Sequence, residues 1–170
     1  MAYLWTAFFS LLPVSELRGG IPFALVNGIP WFAAWPFASA VNALAAPLCW
    51  IFLSTLHRLF YGRPGAPEAG AGPRSGFTWY RAFFDRFVNR ARKKLEKGVE
   101  RWGILGVALF VAIPLPLTGA WTGTLGAWVL GLPKRKTLPA VILGVAVAGG
   151  IVTAVTLLGR GAFSVFIKKP

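Results

Sequence analysis

WGILGVALFVAIPLPLTGAWTGTLGAWVLGLP, residues 102–133, is a run of 32 residues without a charge. At about 1.5 Å per residue, one straight helix of that length would overshoot a hydrocarbon core of ~30 Å by about half. Its centre reads Ile113-Pro114-Leu115-Pro116, followed by Thr118-Gly119. Each proline removes a backbone donor and crowds the preceding turn, so two prolines flanking one residue make a continuous helix improbable. The run is expected to be a re-entrant hairpin over 102–131, two half-helices joined at membrane depth. Irregular backbone is tolerated there only where protein or a water-filled cavity satisfies it.

The same arithmetic applies to residues 19–57, which hold 39 uncharged residues and must contain more than one element. Gly28-Ile29-Pro30 divides the run and leaves 31–57 as a transmembrane helix. Upstream, Pro13 and Arg18-Gly19-Gly20-Ile21-Pro22 are expected to break the chain, so that 3–12 and 22–28 are each too short to cross. Residues 137–159, rich in Val, Ala and Gly, form a second crossing. The order therefore repeats: hairpin 3–28 and span 31–57, then hairpin 102–131 and span 137–159. If each hairpin returns to its own side, the single crossing in each half reverses orientation, which is the inverted-repeat construction of many secondary transporters. The expected fold is an all-α integral membrane protein of two inverted repeats, 1–57 and 102–170, joined by 58–101.

Composition agrees with a membrane location: 56% of the 170 residues are hydrophobic, 14% are charged and mean hydropathy is +0.62. The net charge of +13 reports topology rather than nucleic-acid binding, because 11 of the 18 basic residues fall between Arg58 and Arg101. GRPGAPEAGAGPRSG (62–76) reads as a flexible linker. Residues 78–101 space Tyr80, Phe84, Phe87, Val88, Ala91, Leu95 and Val99 as a basic amphipathic helix lying on the membrane surface. Its Arg90, Arg92, Lys93, Lys94 and Lys97 are the expected contacts for anionic lipid headgroups. The positive-inside rule places 58–101 and Lys134-Arg135-Lys136 in the cytoplasm and the N-terminus outside. MAYLWTAFFSLLPVSELRGG has no basic n-region and carries Pro13, so it is expected to stay in the mature protein. One Cys and one His exclude an internal disulfide and argue against a structural zinc site, and no metal or other cofactor is expected.

Glu16 is the only acid outside the linker and surface helix, and it sits with Arg18 at the break of the first hairpin. An ionisable residue at membrane depth is costly and marks a functional site by default. Glu16 then serves as a carboxyl that loads and releases a proton, and Arg18 pairs with it or holds an anionic substrate group. The competing reading is an interfacial hairpin whose Glu16 and Arg18 are wetted by headgroups and paired with each other. In the second hairpin, Pro114, Pro116, Thr118, Gly119, Trp121 and Thr122 bring hydroxyls, an indole and unpaired N–H groups at a half-helix N-terminus, which attracts anions. Gly119 and Gly123 also form a small-xxx-small pair for close helix approach, and Thr118 can act as a cap. Asn27 and Asn42 are read as cross-links between helices, and His57 as interfacial. No phosphate loop, nucleophile elbow or HExxH motif is present, so an enzyme is not expected.

Glu16-Leu-Arg-Gly-Gly-Ile-Pro22 together with Phe110-Val-Ala-Ile-Pro-Leu-Pro116 and Thr118-Gly-Ala-Trp-Thr-Gly123 resembles the small multidrug export protein family, a relative of the DedA-like (VTT/SNARE-associated) membrane proteins. The resemblance implies a multi-pass protein of a prokaryotic inner membrane with two opposed re-entrant hairpins. It also implies movement of a drug-like or polyprenyl-phosphate-like substrate, although Thr118 to Gly123 lacks the arginine of the DedA-like signature. The expected function is a proton-coupled secondary transporter or lipid flippase. The alternative is a non-transporting scaffold or lipid-organising protein in which the surface helix is the working part. Two hairpins and two crossings are few to enclose a cavity, so a homodimer or higher oligomer is expected.

Overall fold

The computed structural model describes residues 1–61, 103–115 and 118–167, with side chains described as far as 56 in the first stretch and 159 in the last. The linker 62–76, the amphipathic helix 78–101 with Arg90, Arg92, Lys93, Lys94 and Lys97, and Pro116 lie outside these residues. The described chain is helical throughout, without a strand. The helices are α1 (Ala2–Leu11), α2 (Glu16–Val26), α3 (Trp31–Ala43), α4 (Ala45–Tyr61), α5 (Gly103–Ala112), α6 (Ala120–Val129) and α7 (Lys134–Ile167).

α1 stops where proline requires it. Leu12 is extended, with φ −65° and ψ 133°, because Pro13 disfavours the helical region for the residue before it. The chain turns through 12–15 and re-enters a helix at Glu16. The second break expected at 18–22 is absent: α2 runs through Gly19, Gly20 and Pro22. Those glycines are contact points rather than breakers, since a Cβ at Gly19 would strike the Ser15 side chain and one at Gly20 the Ser10 side chain. Pro22 costs one backbone bond, a loss that packed membrane helices tolerate. At about 1.5 Å per residue, α1, α2, α5 and α6 are each about half the thickness of a hydrocarbon core. Two longer segments are long and apolar enough to cross it: Trp31–Leu56, interrupted only at Leu44, and Lys134–Gly159 within α7.

The two halves share a sparse set of identical positions at a constant spacing. A shift of 103 positions carries Leu12, Pro13, Gly20, Ala24, Val26, Gly28, Pro30 and Pro36 onto Leu115, Pro116, Gly123, Ala127, Val129, Gly131, Pro133 and Pro139. The backbone follows the same shift. Gly28 and Gly131 both take left-handed φ, +83° and +71°, after α2 and α6. In each case the next residue bonds five positions back, Ile29 N to Ala24 O and Leu132 N to Ala127 O, both at 3.0 Å. This is the Schellman ending, which favours glycine at the left-handed position. Pro30 and Pro133 then start α3 and α7, each carbonyl accepting from residues three and four further on.

The core is built from small side chains. Ala24 on α2, Ala34 and Ala38 on α3, and Ala120 and Ala127 on α6 are buried with Ile21, Val111, Val141, Val145 and Val152. Such residues let backbones approach closely, which drives helix association when the surroundings are themselves apolar. At Gly144 on α7 a Cβ would meet the Ala108 carbonyl and Val111 of α5. Where α3 crosses α7, Trp35 Nε1 donates to the Ala146 carbonyl at 3.0 Å. Large apolar side chains such as Phe8, Phe32, Phe52, Leu143 and Leu158 face outward instead.

Candidate functional site at the two helix breaks

The residues that follow the two breaks, Glu16 to Arg18 and Thr118 to Trp121, come together, and each group reaches across to the other half's break. Glu16 is buried at 5% exposure and is the one non-glycine residue with positive φ, +47°, among the described residues. That conformation costs of order 1–3 kcal/mol and persists only where surrounding structure imposes it. It accompanies a carboxylate laid against the start of α6. The Trp121 N–H donates to Glu16 Oε1 at 3.5 Å, and the Ala120 N–H points to the same carboxylate. Asn42, buried on α3, faces it from another side. A Cβ at Gly119 would overlap the carboxylate, so residue 119 has room for Glu16 only as glycine.

Arg18 Nη2 donates to the Thr118 carbonyl at 2.8 Å, and its charge also acts on Glu16. In the reciprocal direction, Trp121 Nε1 donates to the Leu11 carbonyl at 2.9 Å, satisfying one of the acceptors left free where α1 ends. Residues 18 and 121 are equivalent under the 103-residue shift, so matching positions of the two halves each bind the other half's break. Cys49 on α4 adds a long contact, Sγ to the Trp121 carbonyl at 3.7 Å.

The Thr118 hydroxyl shapes the second break. It accepts from the Leu115 N–H at 3.0 Å and has the carbonyls of Ile113 and Leu115 within donating reach. Glu16, Arg18, Asn42, Pro114, Thr118 and Gly119 line a small cleft together with Val111, Val145, Ala148 and Val152. Of the residues singled out from sequence, Glu16, Arg18, Pro114, Thr118, Gly119 and the Trp121 backbone are thus brought together. Thr122 is not: its hydroxyl turns back to the Gly119 carbonyl at 3.4 Å. Asn42, read from sequence as a link between helices, joins α3 to α2 by a side-chain hydrogen bond to the Glu16 carboxylate, and so also belongs to the site. Its signal was a lone amide within an apolar run, which does not by itself distinguish a linker from a site residue.

An α-helix N-terminus carries partial positive charge, and here it is joined by a guanidinium. The anion that neutralises them is the protein's own carboxylate. Among the described residues no group of three or more His, Cys, Asp or Glu stands together to hold a metal. No characterised protein and no solved structure matches the chain. The family model described as "Putative small multi-drug export protein" matches residues 16–151, from the Glu16 break through the second break and into α7. Two apolar helices long enough to cross a bilayer and a match over most of its length identify this chain as a membrane protein belonging to that export family, which is not a class of enzymes.

Proposed function

We propose that the chain is a proton-coupled secondary transporter or lipid flippase of a prokaryotic inner membrane, acting as a homodimer or higher oligomer, with Glu16 as its proton carrier. In this reading α1–α2 and α5–α6 are re-entrant hairpins that enter from opposite faces. Each is followed by a crossing, so the halves are inverted repeats. The observation that carries the reading is the meeting of both helix breaks beside the buried Glu16 carboxylate and the half-buried Arg18 guanidinium, one contact running in each direction. Broken helices from two repeats meeting near the midplane are how many transporters form a site that opens alternately to the two sides. The substrate class is a small drug-like molecule or a lipid phosphate. The 78–101 helix serves as an anchor on anionic lipid.

The test is flux in proteoliposomes with and without a pH gradient. Glu16→Gln keeps the shape of the side chain and should insert normally, yet lose gradient-driven movement of substrate. Full gradient-driven activity in that variant would remove the proton carrier from the mechanism.

A further inference from the structure

We propose that Glu16 is a built-in competitor for the substrate's anionic group. While deprotonated, its carboxylate fills the oxyanion site formed by the α6 N-terminus and Arg18; on protonation it leaves that site to a substrate oxyanion. The proposal rests on the transporter reading and adds to it a ligand class and a rule of coupling.

Three observations point the same way. The Ala120 and Trp121 N–H groups and the nearby Arg18 charge form a site of positive potential, and a carboxylate already sits in it. That carboxylate is held by a residue in left-handed backbone conformation, so its seat in the site is maintained against a conformational cost. Finally, Asn42 is 1% exposed, lines the cleft, and has its Oδ1 buried without a hydrogen-bond partner. An amide oxygen accepts and does not donate. A carboxylate cannot satisfy it, but a protonated Glu16 can, by donating its O–H to Asn42 Oδ1. The free acceptor is therefore the resting place of the proton-loaded carboxyl, and moving there uncovers the N–H groups of Ala120 and Trp121.

With the Glu16 carboxylate in place the cleft has room for about one water. A guest's oxyanion therefore takes the space that the carboxylate vacates, with the rest of any larger molecule left outside. Phosphate esters, sulfonates and carboxylates share the required chemistry, whether borne by a lipid or free in water. Lipophilic cations do not, because they would meet a helix N-terminus and a guanidinium. Coupling follows from the competition: one proton bound admits one anion, so proton and anion travel in the same direction.

The experiment is binding to the full chain in neutral detergent without any gradient, which separates it from the flux assay. The probes are decanesulfonate and inorganic sulfate, whose charges stay constant between about pH 5.5 and about pH 8, with decyltrimethylammonium as the cationic counterpart. Wild-type protein should bind decanesulfonate at least about tenfold more tightly at the lower pH, because the competent fraction of sites rises. Glu16→Gln should bind it tightly at both, and Glu16→Gln with Arg18→Gln at neither. Glu16→Asp, which keeps the charge but shortens the reach, should fall between and serves if Gln impairs folding. Sulfate competing with decanesulfonate assigns the site to free oxyanions, and sulfate failing to compete assigns it to lipid-borne ones; both outcomes support the site. pH-independent binding by wild type, or binding by folded Glu16→Gln and Glu16→Asp no tighter than wild type at the higher pH, overturns the proposal. Preference for the cation does so as well.

Discussion

Glu16 and Gly119 occupy equivalent positions in the two halves, and the pair works because they differ. One supplies a carboxylate and the other the space into which it fits. A methyl group at 119 has nowhere to go unless the carboxylate leaves the α6 N-terminus. Gly119→Ala is therefore expected to lower thermal stability in detergent by about 1–3 kcal/mol, the usual penalty for a buried polar group deprived of its hydrogen bonds. Gly126, seven residues along the same helix, has no atom within 4 Å of a built Cβ. There alanine should be neutral or stabilising by up to about 1 kcal/mol, because glycine disfavours a helix interior. Parallel melting curves of the two variants decide it, and an equal response would mean that Gly119 is not a cradle. The charged members of this site could be read directly from sequence, because an acid and an arginine at a proline-marked break are conspicuous in an apolar chain. Asn42 and Gly119 could not be assigned, since their roles exist only once α3 and α6 have been brought to Glu16.

At the scale of the elements, the proline-marked breaks at 13 and 114–116 were legible because proline acts locally, on its own turn. The Gly19-Gly20 pair was not. Glycine in sequence is equally consistent with a break or with a close contact, and only the positions of Ser10 and Ser15 select the latter. Leu44 interrupts the first long span three residues before Pro47, which has no N–H to bond the Ala43 carbonyl, whereas the second long helix continues through the equivalent position. The correspondence between halves was also partly hidden. Its markers are glycine, proline and small apolar residues spaced along otherwise dissimilar helices. Their spacing matters because helix pairs here approach until backbone meets side chain. α7 rests on α5 at Gly144, with the Ala108 carbonyl directly opposite. Gly144→Leu should push α5 away from α7 and shift the second break relative to Glu16, since small residues permit such close packing. The expected result is a melting transition lowered by several degrees, equivalent to about 1–3 kcal/mol of overpacking. Loss of the Trp121 to Leu11 contact should appear as altered tryptophan fluorescence. Unchanged stability would indicate that the α5–α7 approach contributes little to holding the site.

For the whole molecule, the decisive property is the face from which each hairpin enters. The element order α1–α2 then α3–α4, followed by α5–α6 then α7, permits two arrangements. If each hairpin returns to its side of entry, an odd number of crossings separates the halves and they are inverted. If one of them crosses, the halves lose that relation and the two breaks need not share a depth. Single cysteines in a Cys49→Ala background distinguish these cases. Cys49 is buried between α4 and α6, so replacing it removes reactivity without altering the outer surface. The positively charged start of α7 and the 58–101 segment mark the inner side by the positive-inside rule. Cysteines replacing Lys136, an exposed residue, and Trp102 should therefore react with a membrane-impermeant maleimide only when it reaches the cytoplasmic face. Cysteines replacing Ala2 and Gly28, at the two ends of the first hairpin, should react only from the opposite face. Labelling of Trp102 and Lys136 from opposite sides would make α5–α6 a crossing. It would also remove the geometric reason for Arg18 and Trp121 to reach each other's breaks from opposed hairpins.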